Sequence, residues 1–130
     1  METDSCGGLH HRLTEQIIGA AIEVHRRVGP GLLESTYEEC LHRELRGIGL
    51  KVSRQLVVPL MYREKPLAST YRLDLVVDKR VIVEVKAVDT LARVHLAQML
   101  SYLHHTGIRV GLILNFNEVT LRDGIKRVSL

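Results

Sequence analysis

The stretch "RVIVEVKAV", residues 80–88, decides how the rest of the chain is interpreted. Its side chains are apolar on both faces of an extended strand, which is typical of an interior strand covered on both sides. Glu84 and Lys86 interrupt this run. Because a strand places residues i and i+2 on one face, both charges project in the same direction. A carboxylate and an ammonium group in a buried strand need a physical explanation.

The patterns on either side of this stretch predict the element order α-α-β-β-β-α-β. Apolar residues at helical spacing predict three helices, over residues 13–28 (with Thr14 as N-cap), 33–46 and 90–107. Runs rich in β-branched residues predict four strands, over residues 51–62, 69–78, 80–88 and 109–116, with "REKPL" (63–67) and Asp78-Lys79 as turns. The tail is expected to add one or two short strands through a turn at Asp123-Gly124.

The 90–107 helix lies between two strongly apolar strands, which predicts a right-handed crossover that joins them in parallel. The strands before it are expected to form an antiparallel meander. The predicted fold class is therefore α/β, with a mixed central β-sheet flanked by helices. A single domain is expected over residues 13–130, after a disordered leader at 1–12.

Composition excludes several classes of protein. The 130 residues are 45% hydrophobic and carry a net charge of +3, and no apolar run approaches the eighteen or so residues that cross a bilayer, so no membrane partner is expected. Cys6 and Cys40 form neither a disulfide framework nor a metal-ligand spacing, which favours free thiols in the cytoplasm. The basic charge tolerates a polyanion without requiring one. No helix-turn-helix, zinc-finger or aromatic-rich signature predicts the reading of base sequence.

Asp74 is a second carboxylate inside an apolar run, between Leu73 and Leu75 of the neighbouring strand. Asp74, Glu84 and Lys86 could therefore converge at one point. Two buried carboxylates repel each other unless a cation compensates them, and Mg²⁺ is the usual hard cation in such a site. A lysine beside the ion could orient or deprotonate a water. The competing interpretation is structural, with Glu84 paired to Lys86 and Asp74 paired to Lys86 or Arg72.

Two motifs carry a resemblance to known families. Asp74 followed by Glu84-Val85-Lys86 resembles the D…(D/E)-x-K core of the PD-(D/E)XK nuclease superfamily, with Leu73 where the superfamily name has Pro. The stretch "GLLESTY", residues 31–37, resembles the G-x-x-E-x-x-Y signature of the GxxExxY protein family. The resemblance extends from about Leu13 to Val128.

The resemblance implies a restriction-endonuclease-like αβββαβ core with an extra N-terminal helix. It implies that Asp74 and Glu84 hold the metal and that Lys86 assists the attacking water. Glu34 would join the metal site, and Gln98 would support it. The alternatives from helical periodicity are favourable charge placement in the first turn for Glu34 and a polar helix edge for Gln98.

Four further side chains, Tyr37, Tyr102, His95 and His25, lie on the predicted helices. Tyr37 is expected in the core with its hydroxyl hydrogen-bonded, a site carboxylate being one candidate partner. Tyr102 lies one turn after Gln98 and supports the site in the functional interpretation, while the polar-edge interpretation is favoured for Tyr102 and for His95. His25 is a further candidate for lining the site, and the histidine spacing does not favour zinc.

The leading hypothesis is a Mg²⁺- or Mn²⁺-dependent nuclease that acts on nucleic acid, with DNA as the expected substrate and low sequence specificity. A homodimer would serve to cut both strands, and a partner protein could supply targeting. The alternative is a non-catalytic member of the same fold that binds nucleic acid or protein. A small-molecule enzyme is set aside because "GPG" and "GIG" match no phosphate-binding loop.

Overall fold

The computed structural model describes residues 3–4 and 8–130, which form three main helices, a five-stranded main sheet and a short two-stranded sheet. The helices are α1 (His11–Val28), α2 (Glu34–Gly47) and α3 (Arg93–Thr106). The strands of the sheet are β1 (Val52–Tyr62), β2 (Lys65–Val77), β3 (Val81–Lys86), β4 (Val110–Asn115) and β5 (Ile125–Ser129).

The sheet has five strands in the spatial order β1-β2-β3-β4-β5. The β3–β4 pair is parallel and is joined through α3, whereas the other three pairs are antiparallel. The parallel crossover and the antiparallel meander were both predicted from the apolar runs. The predicted α/β class, a mixed sheet flanked by helices in a restriction-endonuclease-like arrangement, is confirmed.

Helices cover both faces of the sheet. Helices α1 and α2 pack on one face through a cluster that includes Ile17, Leu41 and Val83. Helix α3 packs on the other face through Met99 and Leu103. Burial on both faces explains why β3 and β4 are almost continuously apolar.

The beginning of the chain differs from the prediction. Helix α1 begins at His11 rather than Leu13. Thr14 is buried inside the first turn, where its hydroxyl donates to the carbonyl of His11 at 2.9 Å, so it is not the N-cap. Within the predicted leader, Thr3–Asp4 pairs with Gly8–Leu9. Residues 1, 2 and 5–7, which include Cys6, lie outside the described residues.

The β1–β2 hairpin is longer than predicted, because its turn is shorter. The predicted turn at 63–67 contracts to Arg63-Glu64, whose φ values are 50° and 66°, the geometry of a two-residue hairpin turn. Strand β2 consequently begins at Lys65 instead of residue 69. The Asp78-Lys79 turn forms where it was predicted, with φ values of 51° and 58°.

The tail forms one strand in the main sheet. A short 3₁₀ helix at Leu121–Gly124 stands where the Asp123-Gly124 turn was expected, and β5 follows it and pairs with β4. No helix among the described residues is long and apolar enough to cross a membrane. Cys40 is a half-buried free thiol on α2.

Candidate metal and active site

Strands β2 and β3 separate at the residues that carry the acidic groups. Their pairing comprises Val77–Val81, Val76–Ile82 and Leu75–Val83, and Asp74 and Glu84 come directly after the last pair. The N–H of Val85 donates to Oδ2 of Asp74 at 2.9 Å. The Asp74 side chain therefore bonds to the main chain of β3 between Glu84 and Lys86.

Strand β2 is irregular at Asp74. Arg54 pairs with Leu75 and Leu56 with Leu73, so Gln55 lies opposite Asp74 without a ladder pairing, and its φ is 54°. Leu75 packs beneath α1 and α2, whereas Leu73 packs beneath α3. A regular strand would place both leucines on one face. The alternation of faces therefore switches at the carboxylate.

Glu84 is buried, with 6% of its surface exposed, and its Oε1 has no hydrogen-bond partner among the described residues. Burial raises the pKa of Glu84 to about 9, and the hydrogen bond and negative charge of Asp74 act in the same direction. The positive charge of Lys86 opposes them only in part. Without a cation, Glu84 is therefore protonated at neutral pH, and its Oε1 is a buried acceptor that needs a partner.

The structural interpretation of these charges required ion pairs. The ion pairs found among residues 8–130 join Glu23, Glu38 and Glu39 to arginines, and none of them includes Asp74, Glu84 or Lys86. Two adjacent carboxyl groups, one with an unpartnered buried oxygen, form a hard-oxygen donor set of the kind that Mg²⁺ or Mn²⁺ prefers. The residues present therefore fit a divalent cation.

Lys86 stands at the end of β3, half-buried and in register with Asn115 of β4. Asn115 is fully buried. Its Oδ1 accepts from the N–H groups of Val88 at 3.1 Å and Asn117 at 3.2 Å, and its Nδ2 donates to the carbonyl of Val88 at 2.8 Å. This amide fixes the loop that follows Lys86. The sequence interpretation missed Asn115, although an amide at the end of an apolar strand was a visible signal.

Glu34 is the first residue of α2, and its Oε2 accepts from the N–H of Ala87 at 3.0 Å. Asp74 takes the N–H of Val85, so the two carboxylates bind the main chain on either side of Lys86. In the described part of the chain, no three His, Cys, Asp or Glu side chains are grouped closely enough to hold one metal ion. Glu34 thus lies at the end of β3, bound to the main chain, and does not form a three-carboxylate cluster with Asp74 and Glu84.

Tyr37 is fully buried and bonds to a loop rather than to a site carboxylate. Its hydroxyl donates to the carbonyl of Gly29 at 2.6 Å and accepts from the N–H of Leu32 at 3.0 Å. Its ring stacks on Phe116 at 4.6 Å between centroids. Gly31, in this loop, has a φ of 95°, which favours glycine. Tyr37 therefore holds the loop that leads directly into Glu34.

Helix α3 brings Tyr102 close to the carboxylates. Burial raises the pKa of Tyr102, and the negative charges of Glu84 and Asp74 raise it further. Its ring stacks on Tyr71 of β2 at 4.7 Å between centroids. Gln98, one turn earlier on the helix, is exposed. Tyr71, which the sequence interpretation did not select, is the residue that positions the Tyr102 ring.

The two histidines considered from sequence have local structural partners. Nδ1 of His95 accepts from the N–H of Ala92 at 3.0 Å, which caps the start of α3. Nε2 of His25 lies 2.7 Å from the carbonyl oxygen of Glu118. These contacts fasten a helix end and a loop, and neither includes a carboxylate of the site.

Comparison with known proteins adds one match. The family model of the PD-(D/E)XK nuclease superfamily matches residues 11–128. This range contains all of Glu34, Asp74, Glu84, Lys86 and Gln98. No curated protein and no solved structure matches the chain.

Proposed function

The chain belongs to the PD-(D/E)XK nuclease superfamily, and we propose that it is a divalent-metal-dependent nuclease that hydrolyses phosphodiester bonds in DNA with low intrinsic sequence specificity. The observation that carries this proposal is the buried Glu84 carboxyl, which lies against Asp74 with an unpartnered Oε1. Burial of two carboxyl groups is costly unless a proton or a cation compensates them.

Each residue has a distinct role in the proposal. Asp74 and Glu84 hold Mg²⁺ or Mn²⁺, and Glu34 contributes directly or through water. When bound, the ion supplies positive charge that neutralises the carboxylates and polarises the scissile phosphate. Lys86 would orient the attacking water and stabilise the developing negative charge. As the water oxygen bonds to phosphorus and the P–O bond to the leaving oxygen breaks, the water would release a proton to solvent and the leaving oxygen would take one up from solvent.

The residues of α3 and α2 support this arrangement without performing chemistry. Tyr102 borders the carboxylate pair from the side of α3, and Tyr37 fixes the loop before Glu34. Gln98, which is exposed one turn before Tyr102, supports the site from the same helix in this proposal. The G-x-x-E-x-x-Y pattern at residues 31–37 places the chain, in our proposal, in the GxxExxY group. A cytoplasmic location, a homodimer that cuts both strands and a targeting partner complete the proposal.

A cleavage assay tests the proposal directly. Labelled single- and double-stranded DNA and RNA are incubated with the protein in Mg²⁺, in Mn²⁺ or in EDTA. We expect metal-dependent cutting of DNA that Glu84→Gln and Lys86→Gln each reduce by at least about a hundredfold, since both remove transition-state or metal interactions. Lys79→Gln, which removes an exposed lysine at the other end of the β2–β3 hairpin, should cut as the unaltered protein does. No metal-dependent cutting by a folded protein would overturn the proposal.

The alternative is a non-catalytic member that binds nucleic acid or protein. It is favoured by one observation, the hydrogen bond with Asp74 that raises the pKa of Glu84. A proton shared in this way would stabilise the two carboxyl groups without any metal. The Lys86→Gln variant separates the two functions. A binding protein would keep its affinity and lose only stability, whereas a nuclease would lose rate while remaining folded.

A further inference from the structure

The β1–β2 hairpin projects beyond the rest of the sheet. Strand β2 pairs with β3 only over residues 75–77, so its earlier part pairs with β1 alone. Every residue from Tyr62 to Thr70 is exposed. At about 3.3 Å per residue, the strand from Asp74 to Lys65 spans about 30 Å. A two-stranded ribbon therefore continues past the candidate metal site. Next to its tip, the N–H of Met61 donates to Nδ1 of His105 at 3.2 Å, which fastens the ribbon to the end of α3.

The tip of this ribbon, residues 62–65, combines an exposed aromatic ring with positive charge. Tyr62 is 62% exposed, and the guanidinium carbon of Arg63 lies 5.8 Å from its ring centroid. Arg63 and Lys65 flank Glu64 at the turn. Arg63 and Glu64 both occupy the left-handed region, where glycine would be less strained. The turn therefore carries charged side chains at two positions where glycine would fit the backbone with less strain.

The open edge of β1 is poorly suited to pairing with a strand of a second copy. Pro59 has no N–H to donate, and the register shifts between Pro59 and Met61. Gln55, with a φ of 54°, interrupts the same edge nearer the site. Irregular edges of this kind discourage edge-to-edge association of sheets. An added strand is therefore not the favoured partner of this ribbon.

We propose that the ribbon tip, residues 62–65, enters the major groove of duplex DNA bound at the metal site. Arg63 and Lys65 contact phosphates, and Tyr62 packs against the groove wall. The major groove of B-form DNA admits a two-stranded ribbon, whereas the deep, narrow groove of A-form RNA does not. The inference rests on the proposed function, because nucleic acid is its ligand, and it narrows the substrate to double-stranded DNA.

Binding measured without metal tests this inference independently of cleavage. The fluorescence anisotropy of labelled duplex DNA is followed in EDTA between roughly 50 and 200 mM salt. The double variant Arg63→Gln/Lys65→Gln is expected to bind on the order of tenfold more weakly or worse, and the slope of log affinity against log salt should fall by about two. Glu64→Gln should bind more tightly, because it removes a charge of the same sign as the phosphates.

A matched control is available in the second hairpin turn. Lys79 is exposed, has a φ of 58° and lies at the opposite end of β2 from the tip. Lys79→Gln should leave affinity and salt slope unchanged. An unchanged affinity in the double variant, an equal loss in Lys79→Gln, or double-stranded RNA bound as tightly as DNA would each overturn the inference. A change from dimer to monomer in the double variant would also overturn it, by assigning the tip to an interface between copies.

The binding and cleavage experiments together distinguish a failure of this inference from a failure of the nuclease proposal. If the double variant binds normally while Lys86→Gln abolishes metal-dependent cutting, the tip assignment is wrong and the nuclease proposal stands. If the tip variants change affinity but the unaltered protein never cuts, the groove contact stands and the chain is a DNA-binding member of the fold.

Discussion

Glu84 should make the metal-free protein less stable as pH rises, which is the reverse of the usual carboxylate effect. Its pKa is about 9 in the folded protein, whereas the ordinary pKa of a glutamate is 4.5. The folded state therefore holds an extra proton between these values. The stability linked to it is fully present below about pH 4.5 and is lost as pH rises through about 9.

We predict that the free energy of unfolding in EDTA falls by a few kcal/mol between roughly pH 5 and 9, since each pKa unit corresponds to about 1.4 kcal/mol. Urea denaturation at several pH values measures the change. Glu84→Gln, which keeps the shape without the titration, should lack this component. A variant that follows the same pH dependence as the unaltered protein would refute the assignment to Glu84.

Tyr37 acts through a single hydroxyl that can be removed without disturbing its ring. Tyr37→Phe keeps the stack on Phe116 but leaves the Gly29 carbonyl and the Leu32 N–H without this partner. We expect a loss of about 1–3 kcal/mol in unfolding free energy. We also expect faster hydrogen exchange at the Ala87 amide. The loop that Tyr37 fastens leads into Glu34, and the Glu34 carboxylate accepts a hydrogen bond from that amide.

The control for Tyr37→Phe is Tyr62→Phe, which removes an exposed hydroxyl at the ribbon tip. Its unfolding free energy should stay within about 0.5 kcal/mol of the unaltered protein. If Ala87 exchange is unchanged in a destabilised Tyr37→Phe protein, the loop does not position Glu34.

At the scale of elements, α3 approaches the sheet closely because β4 has a glycine beneath it. A Cβ on Gly111 would overlap the Met99 side chain. Gly111→Ala should therefore destabilise the protein by about 1–3 kcal/mol. Met99→Ala opens a cavity and is itself costly. The double variant should lose less unfolding free energy than the two single variants combined, because the smaller side chain at position 99 makes room for the new methyl group at position 111.

A double-mutant cycle measured by chemical denaturation checks this coupling. Additive losses would show that Gly111 and Met99 do not share the contact. Helix α3 also carries Tyr102, one turn after Met99. The contact between Met99 and Gly111 therefore also helps to position Tyr102 near the carboxylates.

Elements were easier to predict than their boundaries. The apolar runs identified β3 and β4 because burial on both faces leaves few alternatives. The start of β2 was wrong because Arg63-Glu64 carries no glycine or asparagine, the usual signal of a two-residue turn. The switch of faces at Asp74 could not be predicted, since it depends on the conformation of Gln55 on the neighbouring strand.

At the scale of the molecule, local pairing placed Asp74 and Glu84 together correctly, because each lies five residues from Lys79, the centre of the hairpin turn. Asn115 and Tyr71 were missed because their contacts join residues that are distant in sequence. Motif spacing finds residues that share a hairpin, whereas side chains that position the motif become visible only after the helices and sheet have packed.

The whole molecule should be stabilised by the ion that Asp74 and Glu84 are proposed to hold. A ligand that binds only the folded state adds about 2.7 kcal/mol at a hundredfold excess over its dissociation constant, which corresponds to a rise of several degrees in the melting temperature. The rise with Mg²⁺ or Mn²⁺ should grow as pH increases towards 9, because the ion must displace the proton on Glu84.

Thermal unfolding across a series of metal concentrations and pH values measures this effect without any substrate. Glu84→Gln should remove most of the rise, and Lys79→Gln should preserve it. Calcium offers a useful comparison, because it has the same charge as Mg²⁺ but prefers more ligands at longer distances. A melting temperature that no divalent ion changes at any pH would favour the proton-stabilised pair, and with it the non-catalytic alternative.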